Sequence, residues 1–171
     1  MKFPKEGEYA SFYRGYIEKA GQGDFFELLD INTQKTIDSF KNIPIDLHNY
    51  SYAEGKWTIK ELLIHLVDCE RVFVYRALTG ARGDNYSVLP SFDEDLFLEN
   101  ANVINRPLED ILAEFTHTRI SNRLFFKSLN EEATSRSANT NGVPMSTRAF
   151  GFIIIGHSNH HLSVLKERYL V

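Results

Sequence analysis

The chain has 171 residues, 43% of them apolar and 25% charged, enough to bury the core of one ordinary globular domain spanning 1–171 without disulfide staples. The formal net charge of -4, with no basic block and no interleaving of basic and aromatic residues, argues against a nucleic-acid-binding surface. The single cysteine excludes an intrachain disulfide, Met1 to Glu8 contains no apolar signal region, and the longest apolar run, Ala149 to Gly156, falls short of the ~18–20 residues of a membrane span. The expectation is a cytoplasmic protein that works away from membranes.

In chain order, Tyr9, Phe12, Tyr13, Tyr16 and Ile17 recur at intervals of three and four, which predicts a short amphipathic helix from about Tyr9 to Lys19. Gly21 and Gly23 end it. Asp24, with Glu27 three positions later, is a natural start for a first long helix. That helix carries Phe25, Leu28, Leu29, Thr33, Thr36, Ile37 and Phe40, and it stops before Pro44 because proline pushes the preceding residue out of the helical region. Residues 43–56 connect to a second helix capped by Thr58 and Glu61. It runs from about Ile59 to Leu78 and is closed by Gly80 and Gly83.

Residues 81–100 form a long excursion, of a length that often carries function. A short helix is expected after Asp93. The third long helix opens at Arg106-Pro107 and reaches about Leu129. Residues 130–145 read as a small hairpin or an ordered loop. Ser146 or Thr147 opens the last helix, and its apolar stripe passes through Phe150, Ile153/Ile154, His157, His161, Val164/Leu165 and Arg168.

Three of the six histidines lie within five positions of that last helix. Residues four apart share a face, so His157 and His161 can both reach one ion. His160 lies one position off the stripe and flanks the pair. The second helix places His65 among Leu62, Leu66, Cys69 and Val72, again on a core-directed face. Three protein ligands and one open position describe a catalytic transition-metal site, and His65, His157 and His161 meet that description if their helices are neighbours. Neutral imidazoles suit Zn²⁺, Ni²⁺ or Fe²⁺.

Several spaced motifs carry a family resemblance. His65-Leu66-Val67-Asp68, Glu70-Arg71 and Tyr75-Arg76-Ala77-Leu78 in the second helix are one set. Gly156-His157 to His161-Leu162 with Glu167-Arg168-Tyr169 in the last helix are another. Glu8-Tyr9-Ala10, Tyr13, Tyr16, Phe92-Asp93-Glu94-Asp95 and Ser146-Thr147-Arg148-Ala149 complete the pattern. Together they resemble the DinB-like (DinB/YfiT) superfamily over nearly the whole chain. The resemblance implies an all-α four-helix bundle, up-down-down-up or similar, with long crossover connections and a short N-terminal helix. It also implies a divalent metal on His65, His157 and His161. Relatives of this kind act on small molecules, either as hydrolases or as transferases and isomerases that use a low-molecular-weight thiol such as bacillithiol.

Around that site, Asp68 one turn after His65 is a candidate general base or orienting carboxylate, and His160 a second candidate for proton transfer. Arg76 and Arg148 are candidates for binding an anionic substrate or thiol carboxylate. Cys69 reads as a small buried hydrophobe; as a thiolate ligand it would close the site. Glu70 and Arg71 read as salt-bridge partners at the bundle ends, and His48 and His117 as surface groups. Tyr9, Phe12 and Tyr13 offer a homodimer surface. The reading opposed to an enzyme is a bundle that binds metal only for stability or as an interaction module.

Overall fold

The computed structural model describes residues 1–170. Its four long helices are α2 (Phe25–Lys41), α3 (Ile59–Ala81), α5 (Leu108–Lys127) and α7 (Thr147–Val164); α1 (Arg14–Ala20), α4 (Glu94–Asn100) and α6 (Glu131–Ser135) are short. Local chemistry sets several of the boundaries. Asp24 accepts from the backbone N–H groups of Phe26 and Glu27 at the start of α2. Thr58 and Glu61 cap each other's backbone at the start of α3. Ser146 accepts from Ala149 N at the start of α7.

The long helices pack as a square in which α3 touches α5 and α7, and α2 touches the same two. Helices consecutive in the chain, α2 with α3 and α5 with α7, therefore stand on diagonals. The contacts also fix direction. Thr147 meets the carbonyl of Ala77 near the end of α3, while His157 and His161 meet His65 near its start, so α3 and α7 are antiparallel. Lys60 bonds the carbonyl of Arg106 and Glu70 bonds Arg119, so α3 and α5 run together. Phe25 packs edge-on against Phe126 and tilted against Phe152, and Thr36 meets Ser158, which makes α2 antiparallel to α5 and parallel to α7. The order is up-down-down-up, as expected.

The polar stretch after α5 is a hairpin. Strands β2 (Ser137–Thr140) and β3 (Val143–Ser146) pair antiparallel through Asn141-Gly142, both at positive φ, and β1 (Val88–Leu89) adds in parallel to β2. Two consecutive left-handed residues make the tight turn whose twist matches a hairpin. The excursion after α3 is thus pinned to the bundle by a strand. Among the described residues no helix is long and apolar enough to cross a membrane.

Two departures from the periodic reading of α7 matter. Every residue from Thr147 to Ser158 is buried, because α1 covers the face that a single-stripe helix would leave to water. And the helix widens into a π-helical turn over Leu165–Tyr169. Within it Tyr169 is buried and Arg168, expected on the stripe, is exposed.

Gly156 is what lets α1 lie on α7. A Cβ there would stand 1.7 Å from the carbonyl oxygen of Tyr16, and backbone cannot swing aside as a side chain can. Gly156→Ala is expected to destabilise the protein by about 2–3 kcal/mol, at the upper end of overpacking costs. The measurement is a urea midpoint. An unchanged midpoint would mean that α1 is free to move.

Candidate metal centre

The core divides into two apolar clusters, one around Phe25, Phe126, Phe150 and Phe152, the other around Phe40, Leu63, Phe115 and Leu165. Between them each long helix contributes buried polar residues: Asn32 and Thr36 from α2, His65 and Glu70 from α3, Arg119 and Asn122 from α5, His157 and Ser158 from α7. A polar group buried without a partner costs free energy, so this layer must satisfy itself. Most of it does. Arg119 donates to Glu70 at 2.5 Å and to Asn32 at 2.8 Å, and Asn122 donates to Glu70 at 2.9 Å. Asn32 donates to Asn159 at 2.9 Å, and Thr36 meets Ser158 at 3.0 Å. Glu70 is therefore an interior partner and not the bundle-end salt bridge that its sequence position suggested.

The imidazoles are different. His65 Nε2 lies 3.1 Å from His157 Nε2 and 3.2 Å from His161 Nε2, and the last two are 3.1 Å apart. Each neutral Nε2 has one proton or one lone pair in the ring plane. Three such atoms in a triangle cannot satisfy all three contacts as hydrogen bonds. His161 Nδ1 is also buried with no partner among the described residues. Neighbouring nitrogens on a tetrahedral ion with metal–nitrogen distances of about 2.0–2.1 Å are roughly 3.3 Å apart, which the triangle approaches. The donor set fits a divalent cation.

A second set overlaps the first. His65, Cys69 and His157 offer ligand atoms within 4.8 Å of one another, and Cys69 Sγ is 3.6 Å from both nitrogens of His65. The nitrogen triangle is the tighter group, and its edges match a coordination sphere more closely. Burial pushes the Cys69 thiol well above its ordinary range, so without a metal it stays protonated.

Burial also holds the imidazoles neutral. His65 is lowered to about 4 by desolvation, against the carboxylate of Asp95, which acts the other way. His161 is lowered to about 3 by desolvation and by the charges of His65 and His160. His157, fully enclosed, is lowered well below its ordinary value, first by desolvation and then by its neighbours. At neutral pH the rings need shed no proton to act as ligands.

Aromatic rings shape the surroundings. Trp57, just before α3, lies 4.5 Å from the His65 ring and stacks at 28° on His161. Tyr16 of α1 meets His157 edge-on at 5.2 Å, and Phe73 does so at 5.7 Å. Past His161 the wall opens into a recess of about 300 Å³ that also touches Trp57, Asp95 and Tyr169.

The other expected groups are placed variously. His160 is half-buried beside the centre, its ring 5.0 Å from His161 and 5.7 Å from Tyr16. Asp68 is not brought to the imidazoles through any hydrogen bond; it accepts from Arg71 at 3.3 Å, within an ion cluster that includes Glu114 and Arg106. Arg76 is buried, donates to Pro90 O at 2.7 Å and covers the Phe92 ring, tying the excursion to α3. Arg148 is held by Glu8 in a two-pronged pair at the opposite end of α7. Nine residues separate it from His157, about 13 Å along the helix axis. His48 is not a surface group: it is buried, with Nε2 3.0 Å from Ile43 O. His117 is exposed, as expected. Asp95 escaped the sequence reading as a site residue. Its position in a long excursion was the available signal.

The family model of the DinB superfamily matches residues 28–165. Among solved structures, YfiT from Bacillus subtilis, described as a probable metal-dependent hydrolase with an unusual four-helix bundle topology, is similar in fold. The TM-score is 0.71 at 16% identity, over 84% of this chain and 82% of that one. Comparison with curated protein sequences finds no match.

Two expected outcomes follow from the polar layer. Arg119→Met leaves Glu70 buried and unpaired and is expected to cost about 3–5 kcal/mol by urea unfolding. Adding Glu70→Gln should recover much of that loss, and no recovery would show that the pair is not coupled. For the metal-free protein, folded-state values below the unfolded value of about 6.5 mean that the folded form binds fewer protons. The stability this gives is present above that pH and is lost as pH falls towards about 4 for His65 and about 3 for His161. Urea midpoints measured between these limits should fall steeply in wild type and less so in His65→Gln/His161→Gln; parallel curves would refute the assignment.

Proposed function

Since the chain belongs to the DinB superfamily, we propose that it is a metal-dependent enzyme of the hydrolase type, acting on a small molecule at a divalent ion held by His65, His157 and His161. The observation that carries this reading is the triangle of Nε2 atoms, 3.1–3.2 Å on each edge, in a layer where every other side chain discussed has found a partner. Such an ion, when bound, lowers the pKa of a coordinated water and polarises a substrate oxygen.

The chain's own residues supply the rest. Desolvation keeps the imidazoles unprotonated and ready to donate. Tyr16 and Phe73 wall the inner side against bulk water, and Trp57 borders the outer one. The recess beside His161 is the side from which a substrate reaches the centre. His160, half-buried with its ring 5.0 Å from that of His161, is the imidazole placed to accept or return a proton, whereas Asp68 is already engaged by Arg71. A low-molecular-weight thiol could enter by the same route in place of water.

One observation favours a second reading. If Cys69 joins the coordination sphere, the site is saturated and serves stability.

Metal analysis of tag-free protein should give about one ion per chain, falling by more than half in His161→Ala and unchanged in His117→Ala. Equal content in wild type and His161→Ala removes the proposal. The cobalt-loaded protein separates the two readings. A nitrogen-only sphere gives no sulfur-to-cobalt charge-transfer band and is unaffected by Cys69→Ser. A band abolished by that substitution establishes the closed site.

A further inference from the structure

The recess beside His161 has chemistry that the metal does not require. Its floor and sides include Tyr52, Trp57 and Tyr169, and Asp95 from the first turn of α4 lies on its wall. The rings of Tyr52 and Tyr169 meet at 4.9 Å and 88°, a right-angled aromatic corner. Two of the three aromatics are held by hydrogen bonds. The Trp57 indole donates to Asp95 Oδ1 at 3.1 Å, and the Tyr169 hydroxyl donates to Trp57 O at 2.7 Å. Tyr169 lies in the π-helical turn that ends the last helix.

Asp95 is exposed on the recess wall, and among the described residues no cationic side chain pairs with it. Among the described residues its one hydrogen-bond partner is the neutral indole, and its second oxygen has none. The one cationic side chain on the lining is Lys56, exposed at the rim and not within ion-pair distance of Asp95. Aromatic faces with a carboxylate beside them attract a weakly hydrated ammonium through the ring quadrupole and the full negative charge together. A volume of about 300 Å³ holds a small head group and little more.

We propose that this recess binds the organic-cation end of the substrate, a substituted ammonium seated between Tyr52, Trp57 and Tyr169 against Asp95. The inference deepens the metal-enzyme reading, since the recess shares His161 with the centre, but its test is separable from it.

Trp57 is the only tryptophan, so its fluorescence reports on the recess. The probes are choline and its uncharged isostere 3,3-dimethylbutan-1-ol, titrated into zinc-loaded protein whose metal content is measured in the same samples. Choline is expected to bind at least tenfold more tightly than the alcohol. Asp95→Asn, which can still accept from the indole, should abolish most of that preference while leaving the alcohol unchanged and the ion in place. Tyr52→Leu should weaken choline several-fold, and Lys56→Ala should strengthen it. Equal affinities for the two probes, or a loss in Asp95→Asn that is the same for both, overturns the cation site. A preference for choline that persists in protein unable to hold zinc supports the cation site while removing the metal reading.

Discussion

Three imidazole edges meet in an apolar interior in a triangle whose contacts cannot all be hydrogen bonds, at a spacing close to that of nitrogens on a shared ion. The rest of the bundle is arranged so that this contact can exist. It requires α3 and α7 to be antiparallel and side by side, with His65 level with the space between His157 and His161. Helix α7 must also be covered on its outer face up to His157, or water would reach that imidazole. The diagonal placement of consecutive helices provides the first condition. The approach of α1 at Gly156, next to His157 in sequence, provides the second.

The polar layer explains why the centre is held in register. An all-apolar bundle of this size could slide by a turn without losing much contact area, because its packing is non-directional. Glu70, Arg119, Asn122, Asn32 and Asn159 form a directional chain through all four long helices. A one-turn slip would strand a buried ion pair, which is far more costly than a misplaced methyl group. The layer therefore fixes the depth at which the histidines meet, although none of its amides or carboxylates touches them in a hydrogen bond.

The surroundings make the site asymmetric. On the inner side Tyr16, Phe73 and the body of the bundle enclose it. On the outer side Trp57, held by Asp95 and by the tyrosine at the chain's far end, borders the recess. Elements distant in sequence, the connection before α3, the excursion after it and the last turn, thus converge on one wall. If the proposed ion binds there, its ligands stand on two long helices, while the recess beside it is lined largely from the segments around them.

Periodicity and capping chemistry made the four long helices, the early short helix and the helix after Asp93 legible, because those signals are local. The shared face of His157 and His161 was legible for the same reason, and so was the core-directed placement of His65, from the apolar face it shares. What no local pattern contained was the order of helices around the square, which decides neighbours. It turned Glu70 into an interior partner of Arg119 and turned Arg148 towards Glu8, away from the histidines. It enclosed His48 and put Asp95 on the wall of the recess. The amino-acid sequence by itself determined which residues could serve as ligands, since ligand type and helical spacing are properties of short segments. Only the tertiary structure decided which charges remained free beside them, because whether a charged side chain is paired depends on what folds against it.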